Sequence, residues 1–167
     1  MNSLALTVGA AMIAAVTVAE VPETGAKKPL KVLMIGNSFS ESVMRETPKL
    51  AAASGFVLDI AQAGIGGCPL DKHWTNVVKS TDAEFRPYGF HYSYGSLKDQ
   101  SQAPIAKLGK RTNIPQALVA EKWDVVTIQQ ASGKSPFYET YQPYADNLIA
   151  KIRELAPQAE IVIQETW

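Results

Sequence analysis

Cysteine is nearly missing from this sequence, and so are histidine and any surplus of one charge. The single Cys68 cannot close an internal disulfide, and a lone thiol neither requires nor forbids export. His73 and His91 are the only imidazoles, no Cys/His spacing of the zinc type occurs, and no metal or other cofactor is expected. Basic and acidic residues stand at 16 each, which excludes a general attraction to nucleic acid or to an anionic membrane. A small or locally recognised substrate fits that balance better. The Gly-x-Gly-x-x-Gly needed for close approach of a pyrophosphate is also absent, against a dinucleotide site.

What is present begins with an apolar stretch through Ala19, rich in Ala, Val, Leu and Met, and closed by the small residues Thr17-Val18-Ala19. Residues 1–19 read as a secretory signal peptide, although Met1-Asn2-Ser3 offers no lysine or arginine, and the chain is expected to be secreted or periplasmic. Thr7, Gly9 and Thr17 interrupt the stretch, which is marginal for the roughly 20 residues a spanning helix needs, so stable membrane insertion is not expected. Residues 20–29 read as a linker, and 30–167 as one domain with enough apolar residues, 46% of the chain, to bury a core.

The most informative stretch is Lys31-Val32-Leu33-Met34-Ile35-Gly36-Asn37-Ser38. An unalternating aliphatic run is the pattern of a parallel strand covered on both faces, and it stops at a glycine, an amide and a serine. Ser38 is thereby placed at the carboxyl end of a central strand, where open α/β sheets bind ligands. There one serine can supply a nucleophilic hydroxyl and an oxyanion-binding amide. Gly, Asn and Ser are also the commonest turn formers, so the tripeptide alone does not separate a site from a plain turn.

The rest of the chain supplies partners for that strand. Residues 41–55 predict a helix in which Pro48 either forces a kink or sits at the first turn of a shorter helix capped by Thr47. Residues 56–63 predict a second strand, leading into Gly64-Ile65-Gly66-Gly67-Cys68, whose glycines suit a binding loop. A short helix is expected over 71–80 and a hairpin or irregular insertion over the aromatic stretch 81–96, whose rings more often form local core than a sugar-stacking surface. Residues 113–122 read as a helix capped by Asn113, 123–130 as a third strand ending in Gln129-Gln130, 138–155 as a helix and 160–167 as a fourth strand. This alternation predicts a three-layer α/β/α fold around a doubly wound parallel sheet. A chain stopping on an apolar strand suggests a domain continuing beyond its carboxyl end.

The blocks in this order resemble the SGNH (GDSL-like) hydrolases, most closely an uncharacterised, largely bacterial branch. The resemblance implies a flavodoxin-like fold with Ser38 as nucleophile and Asn37 in place of the usual aspartate. It implies oxyanion donors from Ser38, from Gly67 in the glycine loop and from the third block. In that block Gln129-Gln130-Ala131-Ser132 has no asparagine, and Gln130 is the substitute donor. The Asp-x-x-His block that provides the base and its orienting acid in the family does not occur in these 167 residues, so this form is expected to be nearly inactive.

Three rivals compete for the reactive roles. His73 lies beyond the glycine loop on a helix flank, where a packing histidine is the commoner outcome. His91 is a weaker candidate still. Cys68 lacks an adjacent cationic group and is followed by Pro69, which favours a buried packing role over a nucleophile. Two functions of different class follow: a secreted serine esterase that deacylates carbohydrate or another small ester, or a non-catalytic carbohydrate- or partner-binding module using the same crevice.

Overall fold

In the computed structural model, which describes residues 28–166, the aliphatic run becomes strand β1 (Leu30–Gly36), central in a six-stranded sheet. Strands β2 (Leu58–Gly64) and β5 (Val125–Gln129) flank it in parallel, and β6 (Glu160–Gln164) pairs in parallel with β5. Beyond β2 the sheet gains two antiparallel strands, β3 (Tyr88–Tyr94) and the short β4 (Arg111–Thr112). The spatial order is β4-β3-β2-β1-β5-β6, an α/β sheet whose parallel part winds both ways from β1.

Within 81–96, expected to be a hairpin or irregular insertion, residues Tyr88–Tyr94 form a strand of the main sheet. Tyr88, Phe90, Tyr92 and Tyr94 alternate with small or polar residues, the period of a half-buried strand. Tyr88, Phe90 and Tyr94 are buried, with Tyr92 packed against the same core.

Among the described residues four α-helices connect the strands: α1 (Ser38–Ala53), α2 (Leu70–Lys79), α3 (Ile114–Val119) and α4 (Tyr144–Leu155). The first starts three residues earlier than expected because Asn37 caps it: the side-chain oxygen accepts from Phe39 N at 3.1 Å. Pro48 lies inside this helix rather than at a break. It removes one intrahelical donor, tolerable where most of the helix is exposed or half-buried. Residues 138–143, expected to be helical, form a 3-10 turn (Tyr138–Thr140) and a connection before α4.

Cover of the sheet is unequal. The larger core joins Leu33, Ile35, Val126 and Ile128 of the sheet to Leu70, Leu118, Leu148 and Ile152 of α2, α3 and α4. The other face holds a smaller cluster, Met34, Leu58 and Ile60, against which Met44 and Ala51 of α1 pack. Among the described residues no helix is long and apolar enough to cross a membrane. The expected signal peptide, and the expected linker up to residue 27, lie outside the described residues.

Candidate active site

Parallel pairing brings the carboxyl ends of β1, β2 and β5 to one sheet edge, and there the three sequence blocks meet. Gly36 ends β1 opposite Gly64, which in turn lies opposite Gly89 of β3. A Cβ on Gly36 would stand 2.5 Å from Ser40 Oγ and 2.6 Å from Gln129 Oε1. Only glycine lets the serine-bearing turn and the end of β5 approach this closely.

Ser38 is exposed at the first helical position of α1, where a backbone N–H has no intrahelical acceptor. Neither its hydroxyl nor its amide donates to a described residue. The neighbouring side chains are ordered beneath it. Asn37, 3% exposed, accepts from Gln129 Nε2 at 2.5 Å and donates from Nδ2 to the Cys68 carbonyl at 3.3 Å. Gln62 Nε2 donates to the Asn37 carbonyl at 3.1 Å and to Ser40 Oγ at 3.0 Å, while Ser40 Oγ donates to the Asn37 carbonyl at 2.8 Å.

The glycine loop is tied to this turn twice, since Ile65 N donates to the Gly36 carbonyl at 3.1 Å and Asn37 reaches Cys68. The chain neighbours of Ser38 and Gly67 are thus hydrogen-bonded to each other. Gly67 is exposed with φ +63°, a left-handed conformation suited to glycine, and its N–H meets no described acceptor.

Gln130 sits elsewhere. It is fully buried, its Nε2 donates to Thr140 O and Oγ1 at 3.0 and 3.1 Å, and its Oε1 accepts from Leu70 N at 3.0 Å. Both amide hydrogens are committed, so the side chain anchors the start of α2 and the 3-10 turn rather than the serine turn. The amide directed at the serine turn is its neighbour Gln129, because successive strand residues point to opposite faces. The sequence places Gln129 at the end of its strand and Gln62 as an interruption of another, without showing that both bond to the serine turn. An amide interrupting each apolar strand near its carboxyl end was the available signal.

The rival groups occupy other environments. Cys68 is buried, and desolvation, opposed by Lys72 and reinforced by Asp71, pushes its thiol up to about 12. His73 is fully buried, stacked on Tyr88 at 5.6 Å with Nδ1 2.9 Å from the phenol oxygen. Burial holds its pKa down to about 4, against the smaller opposing pull of Asp71 and the Cys68 backbone. It is a neutral core residue. His91 is exposed on β3 opposite Gln62, one strand further from β1.

The rim beyond Gln130 is pinned by Lys134 Nζ to Asp71 Oδ1 at 2.9 Å. Desolvation would raise the Asp71 pKa, but the hydrogen bond and charge of Lys134 outweigh it and leave the carboxyl below its ordinary value. Phe137 and Tyr138, both exposed, crown the same loop.

The family model described as "Domain of unknown function (DUF4886)" matches residues 31–167. A crystal structure of a DUF4886 family protein from Bacteroides uniformis is 31% identical, with a TM-score of 0.67 over 84% of this chain and 51% of that one. The chain thus spans about half the length of that relative. No curated protein matches it.

Proposed function

We propose that this chain, which belongs to the DUF4886 family, carries the nucleophile and oxyanion donors of an ester hydrolase of the SGNH type. The observation that carries the reading is the exposed Ser38 at the carboxyl edge of the central strand, its amide at a helix N-terminus and the Gly67 loop hydrogen-bonded alongside. In the proposed reaction Ser38 Oγ bonds to the acyl carbon while a base takes its proton. The C–O bond to the alcohol breaks, and the base returns the proton to the leaving oxygen. Water then repeats the sequence and frees the acid. The Ser38 and Gly67 N–H groups are the oxyanion donors in this reading, since the Gln130 amide is engaged.

Neither histidine is placed to act as base: one is sealed in the core and the other lies two strands from β1. The base in this reading is a group other than these two histidines. The substrate is a small ester, with carbohydrate esters favoured because a sugar ring can stack on the exposed Phe137 and Tyr138 rings at the rim. Export to the periplasm or beyond belongs to the same proposal. A binding module is the second reading, favoured by the sealing of His73.

A fluorophosphonate probe and an aryl acetate separate the two. The expected result is slow, Ser38-dependent labelling of this chain, and esterase activity in a longer family protein that disappears on substitution of the equivalent serine. Full activity after that substitution would overturn the hydrolase reading. Absence of both labelling and turnover would favour the binding module.

A further inference from the structure

We propose that Gln129 and Asn37 form an amide relay that positions the glycine loop, making both of them positioning residues for the Gly67 oxyanion donor. The inference rests on the hydrolase reading for its purpose, but not for its geometry.

The direction of the relay is fixed by its ends. The Cys68 backbone oxygen can only accept, so Asn37 must present Nδ2 to it and Oδ1 to the other side. The Phe39 N–H can only donate, which confirms Oδ1 on that side. Gln129 must then turn its own NH2 toward Asn37, as it does at 2.5 Å. Each amide is buried, at 1% and 3% exposure, where an unmade hydrogen bond costs about 1–3 kcal/mol. The three blocks are thereby locked in series: end of β5, serine turn, glycine loop. Gln62 completes the clamp from β2 by holding the Asn37 carbonyl.

This accounts for an amide at position 37 where the resemblance leads one to expect a carboxylate. An ionised aspartate could accept from Gln129 and Phe39 but could not donate to Cys68, and would turn a negative oxygen on that carbonyl. The loop would lose the one of its two tethers that lies next to Gly67, keeping the Ile65 N–H to Gly36 bond. A protonated aspartic acid has one O–H and could restore the bond.

Amide NMR of 15N-labelled protein tests this in the full chain. In Asn37→Asp at neutral pH the Gly67 cross-peak should leave its wild-type position, and it should move back as acid protonates the new carboxyl. Asn113→Asp is a matched control, because Asn113 also caps a helix and donates to a backbone carbonyl, that of Phe85 at 3.2 Å, away from the crevice. It should leave Gly67 unmoved. An unmoved Gly67 in Asn37→Asp, no recovery in acid, or an equal shift in the control would each overturn the relay. If Asn37→Asp does not fold, Gln129→Met, which removes the donor at similar volume, decides: a displaced Gly67 peak supports the relay and an undisturbed one overturns it. Fluorophosphonate labelling of Ser38 should fall by about 10-fold or more in the variants, somewhat less than outright loss of an oxyanion donor. A wild-type chain that shows no labelling would count against the hydrolase reading, while the Gly67 peaks would still decide the relay.

Discussion

Gly36 and Cys68 border the serine turn for opposite reasons, one because it has no side chain and the other because its side chain is hidden. A methyl on Gly36 would meet Ser40 Oγ and the Gln129 carboxamide at 2.5–2.8 Å, and both are hydrogen-bonded inside the site, so neither can swing away without loss. Gly36→Ala should destabilise the fold by about 1–3 kcal/mol, the usual cost of overpacking, measured by urea unfolding. Cys68, with its thiol held near 12, should resist iodoacetamide at pH 8 in the folded protein and react readily in urea. Mass spectrometry of the alkylated chain checks this, and rapid native alkylation would return Cys68 to the list of nucleophiles.

At the scale of elements, the junction of the glycine loop with α2 should make stability depend on pH through His73. Its folded pKa, about 4, lies below the roughly 6.5 of an unfolded histidine, so between those values the unfolded chain binds more protons. Stability is then complete above about pH 6.5 and declines as pH falls toward 4, by an amount on the order of 3 kcal/mol. Carboxylates titrate in the lower part of that window, so the measurement is the difference between wild type and His73→Gln. The variant should lose the part of the slope that lies above pH 5. A second element-scale test concerns α3, where the Asn113 side chain accepts from Gln116 N at 2.9 Å. Asn113→Ala should cost about 1 kcal/mol, as removal of such caps does.

Elements were legible where one local signal dominated. The unalternating aliphatic run marks β1, and Gly36-Asn37-Ser38 marks the turn after it, because buried-strand composition and turn chemistry are both local. The β3 strand is less legible because the aromatic residues Tyr88, Phe90, Tyr92 and Tyr94 suit a local cluster as well as an alternating strand. Antiparallel pairing with β2 is set by tertiary contact that no short window contains. Pro48 alone leaves a kinked helix and a shorter helix starting at Thr47 both open, and the helix continues through it because the cap at Asn37 and packing on β2 outweigh one lost hydrogen bond. The placement of Gln130 depends on information of the same kind. Which of two adjacent amides faces the serine turn depends on strand register, and a one-residue change reverses it.

Over the whole molecule the two sheet faces differ in what holds them. Leu148 and Ile152 are wholly buried between α4 and the sheet, so truncating Leu148 to alanine removes apolar contact and leaves a cavity at a cost of about 2–5 kcal/mol. On the opposite face α1 packs on β1 and β2, and beside it runs an apolar groove of about 310 Å3 lined by Val32, Met34, Val43, Ile60 and Val162. Val43 and Val162 remain 39% and 40% exposed there. Each has already kept much of its contact with water, so Val43→Ala and Val162→Ala should each cost under about 1 kcal/mol by the area-proportional rule. Urea unfolding of the three single variants tests the asymmetry in this 167-residue chain. A loss from Val162→Ala comparable to that from Leu148→Ala would mean that the groove is filled in solution, and that the sheet is covered on both faces.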